Sequence, residues 1–66
     1  MLHKTGSFVA KDAAGREYVI DILMDETDGW TELRTALGEP VTRTAKGKYL
    51  LYWPIRVLAS DSPDAP

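Results

Sequence analysis

Residues 7–24 read SFVAKDAAGREYVIDILM, and this stretch decides the fold. Its second half carries an apolar side chain at every second position: Tyr18, Ile20, Ile22 and Met24. A period of two is that of a β-strand and places the four on one face. Residues 12–15, DAAG, suit a type I turn closed by a left-handed glycine. We predict an antiparallel hairpin over Ser7–Lys11 and Arg16–Met24, with the alternating set facing the core.

Beyond the hairpin the chain alternates between turn signals and short apolar runs. Residues 25–29, DETDG, are too acidic for a core and predict a loop. Pro54 cannot donate to a ladder and marks an edge, a bulge or a bend. Further strands are predicted over Val41–Arg43, Lys48–Trp53 and Ile55–Ala59, with a turn at Thr44–Gly47.

Residues 30–38, WTELRTALG, fit two structures. As a helix they would have Asp28 as N-cap, Gly38 as C-terminal stop and an apolar stripe. As a strand, Leu33 and Thr35 would alternate with charged neighbours. Local propensity leaves both structures open.

Length and composition limit the chain to one small domain. A chain of 66 residues buries only about 60% of the surface that it exposes when unfolded. Without cysteine, neither disulfides nor thiolate-bound zinc can reinforce the fold, so self-association is a reasonable expectation. We expect one β domain over residues 1–59 and a flexible tail over 60–66, since the tail offers nothing large to bury. Residues 1–6 turn polar at once, so we expect a cytoplasmic protein that binds no membrane.

Turn and strand positions along nearly the whole chain carry a resemblance. They are Phe8-x-Ala10-x-Asp12-x-x-Gly15-x-x-Tyr18, Leu33-Arg34-Thr35, Gly38-x-Pro40-Val41-x-Arg43-x-x-Lys46-Gly47-x-Tyr49 and Ser60-Asp61-x-Pro63-x-Ala65-Pro66. In this order they resemble a group of short bacterial proteins to which no activity is assigned. In that group an Asp-Gly turn follows Leu-Arg-Thr, which implies a hairpin, whereas this chain has Ala36-Leu37-Gly38.

The resemblance favours the strand over the helix at residues 30–37. We therefore predict an all-β fold, a small antiparallel sheet of about five strands curled into an SH3-like half-open barrel, since so small a sheet needs curvature to cover one face. The alternative is an α+β fold with a short helix near 30–37.

No residue pattern predicts catalysis. General acid–base chemistry near neutral pH most often uses histidine, and the single histidine, His3, precedes the first predicted strand in a segment expected to fray. The serines have no partner suggested by spacing. We predict a protein that is not an enzyme and holds no cofactor.

Five acids without a base between Asp21 and Glu32 raise the question of a cation site. A calcium loop of the EF-hand kind needs carboxylates at its first and last positions and glycine at its sixth. With Gly29 at the sixth position, these two positions fall on Met24 and Thr35. We therefore predict a solvated acidic loop rather than a dedicated calcium site. The alternative is weak binding of a divalent cation at Asp25, Glu26 and Asp28.

The opposite charge follows later in the chain. Residues 41–56 contain four bases and no acid, together with the aromatic residues Tyr49, Tyr52 and Trp53. The leading interpretation is a protein-interaction module that binds a protein partner or a second copy of itself. The alternative is weak single-stranded nucleic-acid binding, with bases stacked on these rings. A net charge of −2 argues against a strong nucleic-acid binder.

Seven residues are candidate binding positions: Trp30, Arg43, Lys46, Lys48, Tyr52, Trp53 and Arg56. Each also has a structural interpretation, because aromatic rings in alternating strands often pack in a core and lysines often flank a solvated turn. The orientation of Trp30, Tyr52 and Trp53 therefore discriminates between the two.

Overall fold

The computed structural model describes residues 2–52 and 55–66. Within them the chain forms antiparallel strands that close into a small barrel in the order β1-β2-β3-β4-β5-β6. The strands are β1 (Leu2–Lys11), β2 (Glu17–Asp25), β3 (Thr31–Thr35), β4 (Pro40–Ala45), β5 (Lys48–Leu51) and β6 (Arg56–Ala59). The predicted all-β fold is confirmed, and the structure is consistent with a small SH3-like barrel.

The β1–β2 hairpin is confirmed, with Phe8 opposite Ile20 and Lys11 opposite Glu17. The Asp12 side chain organises its turn by accepting bonds from the backbone N–H groups of Ala14 and Arg16 and from the Tyr18 hydroxyl. The Arg16 N–H bond is the main reason that the pKa of Asp12 lies below its usual value. Local hydrogen bonding therefore fixes the loop that the turn signal predicts.

Strand β1 begins earlier than the sequence indicates. It starts at Leu2, and His3 lies opposite Met24 in the ladder instead of in a frayed segment. A register shift between Lys4 and Gly6 lets the hairpin continue past the point where alternation in the sequence stops. Because of this bulge, the alternation of apolar residues alone does not show that β1 begins at Leu2.

Residues 31–35 form a strand, and the helical alternative is wrong. β3 pairs with β2 from Ile20 opposite Thr35 to Met24 opposite Thr31. Leu33 and Thr35 are buried, whereas Leu37, part of the supposed helical stripe, is 88% exposed. The chain turns at Gly38, which has φ +89° and whose N–H donates to the Thr35 carbonyl. Pairing with a neighbouring strand therefore outweighs local propensity.

The barrel has six strands rather than about five, and it is closed rather than half open. Among the described residues a single ladder pair, Lys11 opposite Ala59, joins β1 to β6. Next to it the Ser60 hydroxyl donates to the Val9 carbonyl at 2.6 Å. One backbone pair and one side-chain bond thus close the barrel, whereas the β1–β2 hairpin is joined by nine pairs.

The core lies between the strands and is small. Phe8 and Tyr49 meet near its centre, with ring centroids 5.0 Å apart. The buried hydrophobic residues are Phe8, Ala10, Ile20, Leu33, Val41, Tyr49, Leu51, Leu58 and Ala65. Ile20 is fully buried and Tyr18 and Ile22 pack against this cluster, as the alternation predicts, while Met24 is half-buried.

The last residues lie against the barrel. Ala65 is 9% exposed, and the Pro66 carbonyl accepts bonds from the Tyr49 hydroxyl and the Gly47 N–H. The sequence predicts a loose segment over 60–66 because it has no large side chain to bury, whereas these residues contact the barrel through Ser60, the small Ala65 side chain and the Pro66 carbonyl. The flexibility of the tail stays a prediction.

In the part of the chain that the structure describes, no helix reaches the length and apolar character required to cross a membrane.

Candidate binding surface on the last two strands

The outward side of the β5–β6 hairpin carries exposed apolar side chains. In β5, Tyr49 and Leu51 are buried, so alternation turns Leu50 outward, where it lies opposite Val57 of β6. Val57 is 66% exposed, and Ile55, just before β6, is 72% exposed. We call the outward side chains of Leu50, Ile55 and Val57 the β5–β6 face. Leu50 is half-buried beside these two exposed side chains, and together the three aliphatic residues form a surface suited to a partner.

Two exposed bases belong to this hairpin, but only one of them shares the face. Lys48 lies opposite Ala59, in the same outward phase as Leu50. Arg56 lies opposite buried Leu51, so alternation places its side chain on the other side of the hairpin from Val57. The apolar strip therefore has one positive charge, Lys48, on its own side and a second one behind it.

The bases of the C-terminal strands make no ion pair within the described residues. The ion pairs there join Lys4 to Asp21, Lys11 to Glu17 and Arg34 to Glu32. All four bases after Pro40 lie outside these pairs, namely Arg43, Lys46, Lys48 and Arg56, as does Arg16 earlier in the chain. Arg56 acts only at longer range, where it contributes to the lowered pKa of Asp12. These four cations remain available to an external anion.

The structure divides the predicted binding residues into three groups. Arg43, Lys46 and Lys48 lie around the β4–β5 turn, with Arg43 opposite Tyr49 in the ladder. Tyr52, which is half-buried, and Arg56 lie at the other end of the β5–β6 hairpin.

Trp30, which is 61% exposed, precedes β3, a strand that pairs with β2 and β4 and not with the β5–β6 hairpin. Its indole N–H donates to Glu32 at 3.4 Å. Trp53 lies outside the described residues.

Tyr49 is a core residue, in agreement with the interpretation that aromatic rings in these alternating strands pack in the core. Its side chain is fully buried, and its hydroxyl donates to the Pro66 carbonyl at 2.7 Å. Burial raises the pKa of Tyr49 above its usual value, because the interior disfavours the phenolate. A ring enclosed in this way offers no face on which a nucleic-acid base could stack.

The binding residues predicted from the sequence do not include the aliphatic residues of the β5–β6 face. Leu50, Ile55 and Val57 lie in strands that read as nearly continuous apolar runs, which do not reveal which residues point outward. A usable signal was present in β5, where the turn at Gly47 sets the phase of the alternation. Lys48 on the solvent side then predicts Leu50 on the same side.

Carboxylates of the acidic loop accept hydrogen bonds from backbone N–H groups two residues further along the chain. The Asp25 carboxylate accepts a bond from the Thr27 N–H, and the Asp28 carboxylate accepts one from the Trp30 N–H. The Thr27 bond is the main cause of a lowered pKa at Asp25. Among the residues that the structure describes, no three acid or histidine side chains are grouped so as to hold a metal ion.

Comparisons of the chain with protein-family models, curated proteins and solved structures gave no match.

Proposed function

We propose that this protein is a non-enzymatic binding module that docks on an acidic surface of a partner protein through the β5–β6 face. One observation carries the proposal: Val57 and Ile55 are about two-thirds exposed on a hairpin whose bases, Lys48 and Arg56, form no ion pair within the described residues. Burying such aliphatic side chains supplies affinity, while the free cations orient an anionic partner and accelerate its approach.

The chemistry of the face favours a protein over single-stranded nucleic acid. Nucleic-acid bases bind to platforms of exposed aromatic rings. The face itself is aliphatic, Tyr49 is buried, and Tyr52 is only half-exposed. Apolar side chains of a partner protein pack on leucine, isoleucine and valine without needing a ring.

The charge of the face also favours a foreign partner over a two-fold dimer formed through it. A two-fold interface brings the same patch of both subunits together. Lys48 shares this face, so a two-fold contact would place the Lys48 side chains of both copies in one interface, and like charges there oppose association. An acidic partner meets the same cations with attraction.

A titration with a defined acidic probe tests the proposal. The probe is a short soluble peptide of alternating glutamate and leucine, added to ¹⁵N-labelled protein and followed by amide chemical shifts. We expect saturable shifts in β5 and β6 that weaken as salt is added, because screening removes the charge attraction. The same peptide with lysine in place of glutamate should leave these amides unchanged.

Two matched variants locate the site. Val57→Ser removes an exposed aliphatic side chain from the face, and Val19→Ser removes one from β2, where Val19 is 47% exposed. Val57→Ser should weaken the acidic peptide severalfold and Val19→Ser should leave it unchanged. Equal behaviour of the two variants, or shifts confined to other strands, would refute the proposal.

Two further measurements separate the alternatives. A single-stranded oligothymidine that binds more tightly than the acidic peptide would favour the nucleic-acid interpretation. Light scattering over a concentration series that shows dimers lost in Val57→Ser would favour self-association through the face instead.

A further inference from the structure

The Pro66 carbonyl lies in a small recognition site at the end of the barrel. Two donors converge on its oxygen, the Tyr49 hydroxyl at 2.7 Å and the Gly47 N–H at 3.2 Å. Side-chain and backbone donors aimed at one carbonyl are a common means of holding a peptide. Because the Tyr49 ring is fully buried, its hydroxyl is held in place before any ligand arrives.

The side chain before this carbonyl is also enclosed. Ala65 is 9% exposed and belongs to the same buried cluster as Tyr49, Phe8 and Leu58. A position buried to this extent accepts a methyl group and excludes larger or charged side chains. We call this enclosure, together with the Tyr49 and Gly47 donors, the tail slot.

The tail holds its own shape. The Ala65 N–H donates to the Ser62 carbonyl at 3.1 Å, and the Asp64 N–H donates to the Ser62 hydroxyl at 3.3 Å. These bonds form a turn, with Pro63 directly after Ser62, where proline presets the backbone. The conformation that fits the slot is therefore encoded within the segment rather than imposed by the barrel.

We propose that the tail slot is a peptide-recognition site that the chain's own tail occupies, and that it binds an external segment with a small residue followed by proline. The slot uses Tyr49, Gly47 and the core around Ala65, none of which belongs to the β5–β6 face. The proposal is therefore independent of the function proposed above.

The number of contacts makes such an exchange feasible. Ser60 anchors the start of the tail, with its hydroxyl bonded to the Val9 carbonyl and its N–H to the Gly47 carbonyl. Beyond Ser60 the tail enters the slot through one methyl-bearing side chain and one carbonyl, a small contact compared with a strand of the barrel. Its covalent attachment supplies a high effective concentration, roughly millimolar for a short linker. An external segment therefore competes against the effective concentration of the attached tail rather than against extensive packing.

The test empties the slot and refills it in the full chain. Ala65→Glu places a carboxylate in an enclosed apolar position, so the tail should leave the slot. A heptapeptide with the sequence of residues 60–66, SDSPDAP, is then added as free acid and as amide, and binding is followed by the Gly47 and Tyr49 amide shifts. We expect saturable binding of both forms, since a single oxygen accepts both bonds.

Two controls define the specificity. The same peptide with glutamate at the alanine position should not bind. Adding Tyr49→Phe to Ala65→Glu should weaken the native peptide about tenfold, the loss expected for one buried hydrogen bond. An Ala65→Glu protein that folds but does not bind the peptide, or that binds both peptides equally, would overturn the proposal.

A second measurement keeps the proposal testable if Ala65→Glu fails to fold. The wild-type chain, ¹³C-labelled, is mixed with excess unlabelled heptapeptide, and the methyl signal of Ala65 is observed. A progressive shift to a solvent-exposed position supports exchange. An unchanged signal at the solubility limit of the peptide contradicts it.

Discussion

The N-terminal and C-terminal halves of the barrel use their bases differently. Before Pro40, three of the four bases lie in ion pairs with carboxylates: Lys4, Lys11 and Arg34. From Pro40 onward none of the four does so within the described residues. The first half pairs three of its bases with carboxylates of β2 and β3, whereas the second half leaves its bases outside such pairs on the strands that carry exposed Val57 and Ile55. This difference is the reason for placing the proposed partner on the second half.

The glycine turns of the two halves differ in how closely the rest of the chain approaches them. Gly15 in the β1–β2 turn and Gly47 in the β4–β5 turn both have positive φ, 82° and 75°. A Cβ at Gly15 would have no neighbour within 4 Å, whereas one at Gly47 would lie 2.8 Å from the Ser60 carbonyl oxygen. The first turn is open to solvent, and the second is covered by the tail.

The largest expected effect comes from alanine at these two glycines. Gly15→Ala should cost about 1 kcal/mol, the price of a left-handed residue with a Cβ. Gly47→Ala should cost about 2–3 kcal/mol, because the Cβ also displaces the backbone of Ser60. Urea unfolding of both variants measures the difference. Equal losses would show that the tail does not press on the second turn.

A smaller effect is expected for Tyr49→Phe, which removes the hydroxyl donor in the C-terminal half. At neutral pH the loss should be about 1 kcal/mol, the usual net contribution of a hydrogen bond. The pKa of Tyr49 is raised above 10.0, so this group contributes stability that is present below pH 10.0 and lost as the pH rises through the folded-state value.

Stability curves against pH for both proteins measure this difference. The wild type should lose stability above pH 10.0 through this group, and Tyr49→Phe should lack that part of the decline. Stability curves of the wild type that coincide with those of Tyr49→Phe above and below pH 10.0 would contradict the structure.

The smallest expected effect concerns the bases themselves. Lys4→Gln removes an exposed ion pair 3.4 Å long and should cost about 0.5 kcal/mol at low salt. Lys48→Gln breaks no ion pair and should leave the free energy of unfolding unchanged while weakening the acidic peptide. Unfolding at low and high salt separates the two. A loss in Lys48→Gln as large as that in Lys4→Gln would erase the contrast between the halves.

Sequence patterns predict the parts of this fold that local chemistry controls. The β1–β2 hairpin follows from alternation at Tyr18, Ile20 and Ile22 and from the turn at Asp12 and Gly15, because each signal acts within a few residues. The concentration of bases after residue 40 is likewise visible in the sequence. The sequence does not show whether these bases form ion pairs, because that depends on which strands become neighbours.

Other features depend on contacts between distant residues. The strand at 31–35 wins over a helix because β2 and β4 lie on either side of it, and closure requires Lys11 to meet Ala59. Tyr49 enters the core while Val57 stays in water because the phase of each strand is fixed by its neighbours. The tail contacts the barrel through the polar groups of Ser60, a small side chain and a carbonyl, and no hydrophobic pattern reveals such contacts.

The sequence by itself determined the turns, the charge asymmetry and the first hairpin of this protein. These depend on backbone preferences and on the spacing of side chains along one strand. The tertiary structure alone decided barrel closure, the exposure of the β5–β6 face and the seating of Ala65, because each requires residues far apart in the chain to meet in space.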